Sequence, residues 1–415
     1  MRILMLTPAF PPFPGGGERY IRSLARHLAQ RGHAVTVLTS AAQVERELWQ
    51  GCGDGVTHEQ VDGLELIRCP IRRLPGGWPM LLAWRKLMVL MSLLPGDETA
   101  VLQHLARAIP PIQQMPQTLA KLGNRFDLIH GFNISWEYPL LLGWQWAKQW
   151  QIPFAVTPFA HLGAGQRDRV ALNSTMDHQR RVLQAAAVVF TLTTIEQQGL
   201  QARGIEMRQV TAVGSGLDPL PDNWQTADPL TKHQLQPPFA LFLGRANHSK
   251  GAVHTLQAIA QLHLEGVPVT LVLAGQTTAE FEQALAQLPA NVRGWIRPLG
   301  IVSETEKHAL LEAAAMLVMP SHADSFGIVF LEAWAHGKPV IGAWAGGIPG
   351  VVDDGQNGLL VPFGDVPALA QAMRHLLTQP DVAQTLGANG RIKTHTHYTW
   401  PHVTDQVEAY YEQIQ

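Results

Sequence analysis

The chain has 415 residues, 46% hydrophobic and 15% charged, with a formal net charge of −2 and two cysteines. One hydrophobic core serves roughly 250–300 residues, so two domains are expected, and the apolar share excludes disorder over most of the length. The near-neutral charge excludes nucleic acid as a general partner. Cys52 and Cys69 have neither the number nor the spacing for a disulfide framework or a metal site, which fits a reducing cytoplasm.

In chain order, the first strand is expected at RILMLT, Arg2 to Thr7. Its apolar run is too short for a signal peptide, and no stretch reaches the ~20 apolar residues of a membrane span. A loop with Gly15, Gly16 and Gly17 follows. Glycines let backbone approach a ligand closely, so Gly16 and Gly17 are candidate phosphate contacts, although a flexible turn reads the same way. The spacing of Ile21, Leu24, Ala25 and Leu28 predicts a helix over 18–30, closed by Gly32. Further strands are expected at AVTVLT, LELIR, DLIH, Ile152 to Thr157 and Ala187 to Leu192, with helical patterns between most of them. His161 follows one of these strand ends, where a neutral imidazole can bond a sugar hydroxyl or a developing charge.

The segment 68–95 carries Arg68, Arg72, Arg73, Arg85 and Lys86 among Trp78, Trp84 and many Leu and Met residues. Three readings stay open for it: a core helix, a wall of an acceptor site, or a helix lying on an anionic membrane surface.

Residues 214–238 hold seven glycines and prolines with little periodicity and read as a linker. Strand–helix alternation then restarts with FALFLG, a helix from about Lys250, and VTLVLAG. The expected organisation is an N-terminal domain over 1–217, a linker over 218–236 and a C-terminal domain over 237–395. A last helix over 396–415 is expected to pack back toward the N-terminal domain. Strands alternating with helices give two Rossmann-like α/β domains with parallel sheets, whose ligands bind at the carboxyl edges of the strands.

Two motifs in the second half carry chemistry. GRANHSKG, Gly244 to Gly251, follows a strand and places Arg245 and Lys250 beside a helix start. Two cations with exposed helix N–H groups suit a diphosphate. In PSHADSFGIVFLEAWAHGKPVIG a helix is expected from Phe326 to Ala335, with Asp324 at its entrance and Glu332 two turns inside. The N–H groups of Ser325, Phe326 and Gly327 can face an anion, while Asp324 and Glu332 can accept bonds from sugar and ribose hydroxyls. An Asp at a helix start also serves simply as a cap. His395, His397 and His402 have no carboxylate or thiolate neighbours in sequence and are not expected to hold a metal.

Together these motifs resemble glycosyltransferase family 4, whose members have the GT-B fold, two Rossmann-like domains facing each other across a cleft. The match rests on Arg245, Lys250 and Glu332, on GGIPGVVDDGQNGLLV, and on PPFPGGGERYIRSLARHLAQRGHAVTVLT at the start. Asp324 and Gly350 depart from it, because Glu is usual at both places. The resemblance is weakest from about residue 70 to 125.

The resemblance implies a retaining transferase that moves a sugar from a nucleotide-diphosphate sugar to a glycan, lipid-linked or small-molecule acceptor. Arg245 and Lys250 would hold the diphosphate, Glu332 the ribose and Asp324 the transferred sugar. His161 would serve sugar or acceptor, and the loop Leu299, Gly300, Ile301 and Val302 would read the base. No metal cofactor is expected, since the two cations and helix amides stabilise the leaving group and no Asp-rich motif occurs. A nucleotide-sugar epimerase, a phosphorylase, or a non-catalytic nucleotide-sugar-binding protein would also fit these motifs.

Overall fold

The computed structural model describes residues 1–162 and 169–415. They form two compact units, 1–216 with 400–415, and 217–399, so the chain passes between units twice.

The first unit is built on β1 (Arg2–Leu6), β2 (Ala34–Ser40), β3 (Thr57–Val61), β4 (Leu64–Cys69), β5 (Leu128–Phe132), β6 (Phe154–Thr157), β7 (Val188–Thr191) and β8 (Val210–Ala212). The sheet order is β3-β4-β2-β1-β5-β6-β7-β8. Every pairing is parallel except that of β3 with β4. Central β1 is apolar from Ile3 to Leu6 and wholly buried, as a strand covered on both faces must be. The helix Gly16–Gln30 starts two residues before the sequence expectation and buries Tyr20, Ile21, Leu24, Ala25 and Leu28.

The second unit holds β9 (Phe239–Leu243), β10 (Thr270–Ala274), β11 (Ile296–Gly300), β12 (Met316–Val318), β13 (Val340–Ala343) and β14 (Leu359–Val361). Their order is β11-β10-β9-β12-β13-β14, all parallel. Both units are therefore doubly wound α/β layers, with candidate loops leaving the carboxyl ends of strands.

Three expectations change. The stretch 218–236 is not a bare linker. It contains a 3-10 turn at Trp224–Thr226 and a helix at Pro229–His233. Lys232 pairs with Glu306 at 2.5 Å, Arg297 donates to the His233 carbonyl, and the Trp224 ring stands edge-on to His336. These contacts tie the stretch to the second unit, in spite of a proline content that hides its pattern.

The helix expected from Phe326 begins at Ile328, because Gly327 adopts φ +85° and turns the chain into it. The helix expected from Lys250 likewise begins at Ala252, with Gly251 as its cap.

The last helix, Trp400–Gln413, belongs to the first unit. Trp400 meets the rings of Tyr20 and His27, and Arg31 and His33 both bond Glu408. Tyr411 is fully buried, its hydroxyl 2.5 Å from His130 Nδ1 on β5, while His130 Nε2 lies 2.8 Å from Thr157 Oγ1 on β6. Burial pushes the His130 imidazole down to about 3, so it stays neutral and bridges two hydroxyls.

Tyr411→Ala empties a closed site and orphans His130. It should lower unfolding free energy by about 3–5 kcal/mol, as large-to-small core changes do. Urea unfolding followed by tryptophan fluorescence measures this, and a loss under about 1 kcal/mol would mean the tail is only loosely attached.

Candidate functional site

In the second unit three strand-end loops converge. The loop after β9 carries Arg245 and Lys250, the loop after β12 carries Asp324, and the turn after β13 carries Gly346 and Gly347. Two close approaches fix them. Gly251, at φ +79°, lies against Pro320, where a Cβ would overlap the Pro320 carbonyl. Cβ atoms at Gly346 and Gly347 would overlap the carbonyls of Asp324 and Ser325. The approach is stitched by His322 N–H donating to the Ser249 carbonyl at 2.8 Å and Gly347 N–H to the Asp324 carbonyl at 2.7 Å. Only glycine permits backbone this close.

Within this frame Lys250 Nζ donates to Asp324 Oδ1 at 2.5 Å, with side chains 34% and 17% exposed. Two residues 74 apart in sequence, assigned by the sequence to different parts of one ligand, thus touch in the fold. Asn247 Oδ1 accepts from the Lys250 N–H at 2.8 Å and shapes the turn ahead of the helix. Arg245 is exposed two residues past the end of β9. The Phe326 side chain is not part of the site surface. It is buried and stands edge-on to Tyr398, leaving only backbone there to meet a ligand.

Glu332 is buried inside its helix and accepts at Oε1 from Lys307 Nζ at 2.7 Å. Lys307 also donates to Glu304 at 2.5 Å. Leu299 and Gly300 are the last residues of β11 rather than loop, because Gly300 resumes the ladder with Ala274 of β10 past a bulge at Leu299. Ile301 and Val302 lead from there to the helix Glu304–Ala313, whose start is closed by a capping box between Ser303 and Glu306. The Lys232 hydrogen bond holds the Glu306 carboxyl down at about 2.

In the first unit Gly16 and Gly17 form the first turn of the helix after β1, capped by Gly15. The Glu18 carboxylate folds back over Gly15, and burial pushes it up to about 7. His161 lies four residues past β6, half-buried. Its loop is anchored by Glu196, which accepts from Ala160 N–H at 2.6 Å and Leu192 N–H at 2.7 Å. Burial raises the Glu196 carboxyl to about 7 against the pull of those two donors.

The structure also revises the 68–95 segment. Arg68 is a buried residue of β4 that bonds the carbonyls of Phe10 and Pro11 and pairs with Glu59. Arg85 is bound to Glu137 at 2.7 Å and to two carbonyls, with His178 on the same carboxylate. Neither is a surface cation. Arg72, Arg73 and Lys86 are exposed. The helix Gly77–Ser92 turns Leu81, Trp84, Arg85 and Met88 inward and exposes Trp78, Met80, Leu82, Leu87 and Leu90, followed by Leu93 and Leu94.

Sequence reasoning passed over Lys307 and Trp344. Lys307 sits in a charged helix start that reads as solvated surface. Trp344, 53% exposed at the end of β13, lies two residues before Gly346. Among the described residues no group of three His, Cys, Asp or Glu is placed to hold a metal ion, and no helix is long and apolar enough to cross a membrane.

Two family descriptions match the chain: "Glycosyl transferases group 1" over residues 226–393 and "Glycosyl transferase 4-like domain" over 15–216. The chain is 26% identical to a glycogen synthase of Mycobacterium tuberculosis over 99% of its own length and 94% of the relative's. It is 27% identical to a D-inositol 3-phosphate glycosyltransferase of Thermobifida fusca, over 96% and 88% of the two chains. Among solved structures, sucrose-phosphate synthase from Thermosynechococcus elongatus superposes with a TM-score of 0.75 at 22% identity, covering 99% and 98% of the two chains. Anabaena Alr3699/HepE in complex with UDP and glucose gives 0.70 at 18%, again over 99% and 98%. These structures show that the two units are those of the GT-B fold.

Glu196 generates a pH prediction. Its unfolded-state carboxyl ionises above about 4.5, whereas the folded one keeps its proton to about 7. The folded state therefore binds more protons in that window, and stability falls as pH rises from about 4.5 to 7. The shift corresponds to about 3 kcal/mol. Glu196→Gln should flatten the decline in melting temperature between pH 5 and 7.5. An unchanged slope would assign it to other groups.

Proposed function

The chain belongs to the retaining, nucleotide-sugar-dependent glycosyltransferases of family 4, and on that premise we propose how its residues divide the work. It is a hexosyltransferase. Arg245 and Lys250 hold the donor diphosphate, Glu332 bonds the ribose, and the end of β11 with Ile301 and Val302 meets the base. Asp324 and the amides of Ser325, Phe326 and Gly327 engage the transferred sugar; within the first unit, Gly16 and Gly17 offer amides to a phosphate and His161 an imidazole to a sugar or acceptor hydroxyl. The observation that carries this reading is the meeting of Lys250 with Asp324 on glycine-locked loops at three strand ends.

In the reaction the bond from the anomeric carbon to the phosphate oxygen breaks, and one to the acceptor oxygen forms on the same face. The acceptor proton passes to the departing phosphate. Negative charge grows on that phosphate, and the Lys250 ammonium with the Arg245 guanidinium answers it without a metal ion. Lys250 binds Asp324 before donor arrives, so its charge is shared between a carboxylate that orients the hexose and the phosphate that leaves. UDP-glucose is the first donor to test, since UDP and glucose occupy the Anabaena neighbour.

The acceptor side includes an exposed apolar surface. We propose that the exposed face of the helix Gly77–Ser92 rests on the anionic inner leaflet of a membrane, which makes the protein cytoplasmic and peripheral. Seven large apolar side chains face outward there. Arg72, Arg73 and Lys86 flank them, and no Asp or Glu occurs between Leu66 and Gly96. Each such cation contributes about 1 kcal/mol at an anionic surface. Vesicles with phosphatidylserine should float the protein and neutral vesicles should not. Leu87→Gln with Leu90→Gln should abolish flotation. Concentration-dependent dimers without vesicle binding would instead assign the face to a second copy.

For the donor site, UDP, GDP and ADP are compared by thermal unfolding. A nucleotide at a hundred times its dissociation constant should add about 2.7 kcal/mol, and Lys250→Ala should remove that gain. Asp324→Ala should keep or tighten nucleotide binding, because Lys250 is released, while turnover falls about a hundredfold or more. Weakened binding together with intact turnover would reverse the two assignments.

A further inference from the structure

We infer that Lys307 is a positioning residue for nucleotide recognition, setting the carboxylate of Glu332 for the ribose and linking it to the base-reading strand end. The inference rests on the reading of Glu332 as the ribose acceptor. Lys307 is 9% exposed, on the first turns of the helix Glu304–Ala313. Its ammonium spans from Glu304, whose side chain is 63% exposed, to Glu332, whose side chain is 5% exposed. A lysine drawn out of water to reach a buried carboxylate is a poor source of stability, since desolvating both charges offsets most of their attraction. Two well-packed apolar side chains would serve the core as well or better.

What the pair does supply is direction. An ammonium 2.7 Å from Oε1 fixes the rotation of the carboxylate plane. A ribose diol is read by the direction of carboxylate lone pairs, so a carboxylate free to rotate reads it poorly.

The elements that hold Lys307 favour the same role. Its helix begins four residues after β11 ends at Gly300, so the residues assigned to the base lead directly into the helix start that carries it. That start is closed by the Ser303–Glu306 capping box, and Lys232 pins Glu306 from outside. On the next residue, His308 Nδ1 lies 2.9 Å from His336 Nε2, and His336 Nδ1 lies 2.8 Å from Glu312. His336 follows the helix that carries Glu332, so this chain of bonds fixes the two helices in one register. Base contact and ribose contact are thereby set by one rigid piece, and Lys307 is its link to the sugar of the nucleotide.

The test compares the tightest of UDP, GDP and ADP with its 2′-deoxy and 3′-deoxy forms, by calorimetry on the full chain. The unaltered protein should prefer the ribose form by roughly ten- to a hundredfold, the value of a hydrogen bond to a charged group. Lys307→Met should bring that ratio to within about threefold while nucleotide binding through Lys250 persists, and Lys307→Arg should restore most of it. Lys307→Gln, whose neutral amide donates more weakly and from a shorter stem, replaces Lys307→Met should the latter not fold, and should still cut the ratio by about threefold or more. A lower melting temperature with the ratio intact would overturn the inference and leave Lys307 a structural counter-ion. If the unaltered protein binds but does not distinguish the deoxy forms, the ribose role of Glu332 falls and Lys307 falls with it. If no nucleoside diphosphate binds, the donor-site reading itself is overturned.

Discussion

Backbone pressed against backbone is the constraint on which the second unit's chemistry depends. Gly251 lies on Pro320, and Gly346 with Gly347 lies on Asp324 and Ser325. Parallel strands deliver three loops to one edge of the sheet, but a sheet edge alone leaves loops about 4.8 Å apart and mobile. The missing side chains let the loops close that gap. Lys250 is the neighbour of Gly251 and Asp324 is the residue gripped by Gly346. Their ion pair is therefore a result of the backbone contact rather than its cause.

The charges have a pattern that stability does not explain. Lys250–Asp324 and Lys307–Glu332 are partly or wholly withdrawn from water, where ion pairs gain little net free energy. On the proposed division of roles, each offers an ion to a polar ligand at small reorganisation cost. The group of Arg85, Glu137 and His178 in the first unit is a counterexample. There the charges lock the helix Gly77–Ser92 to its support, with the guanidinium also spent on the Ser135 and Asn173 carbonyls. On the proposed reading the same residue types serve recognition in one unit and fastening in the other, and only partners and burial tell them apart.

The fold was largely legible because its signals are local. RILML and FALFL are continuous apolar runs, and such strands take the buried centre of a parallel sheet. The amphipathic spacing of residues 18–30 gave its helix, and the strand-end positions of Arg245, Lys250 and Asp324 followed from alternation. What escaped depends on distant partners. The stretch 218–236 reads as a linker until Glu306, Arg297 and His336 are seen to bind it. Arg68 and Arg85 fit a core helix, an acceptor wall or a membrane-facing helix alike until Phe10, Pro11 and Glu137 are placed beside them. Lys307 reads as solvated because its partner Glu332 lies 25 residues away on another helix. Gly327 moved a helix start by two residues, since a left-handed φ cannot be distinguished from an ordinary glycine in one sequence.

The return of the last sixteen residues to the first unit sets an order on biosynthesis. Tyr20, His27 and His130 emerge from the ribosome before the second unit, yet the residues that meet them, Trp400 and Tyr411, are translated only after it. At roughly 5–20 residues per second, the about 200 residues between Gly216 and Tyr411 take some tens of seconds. Over that interval the helix Gly16–Gln30 waits for the helix Trp400–Gln413, while the second unit completes the last strand of its own sheet at Val361. The half of the chain made first is therefore finished second.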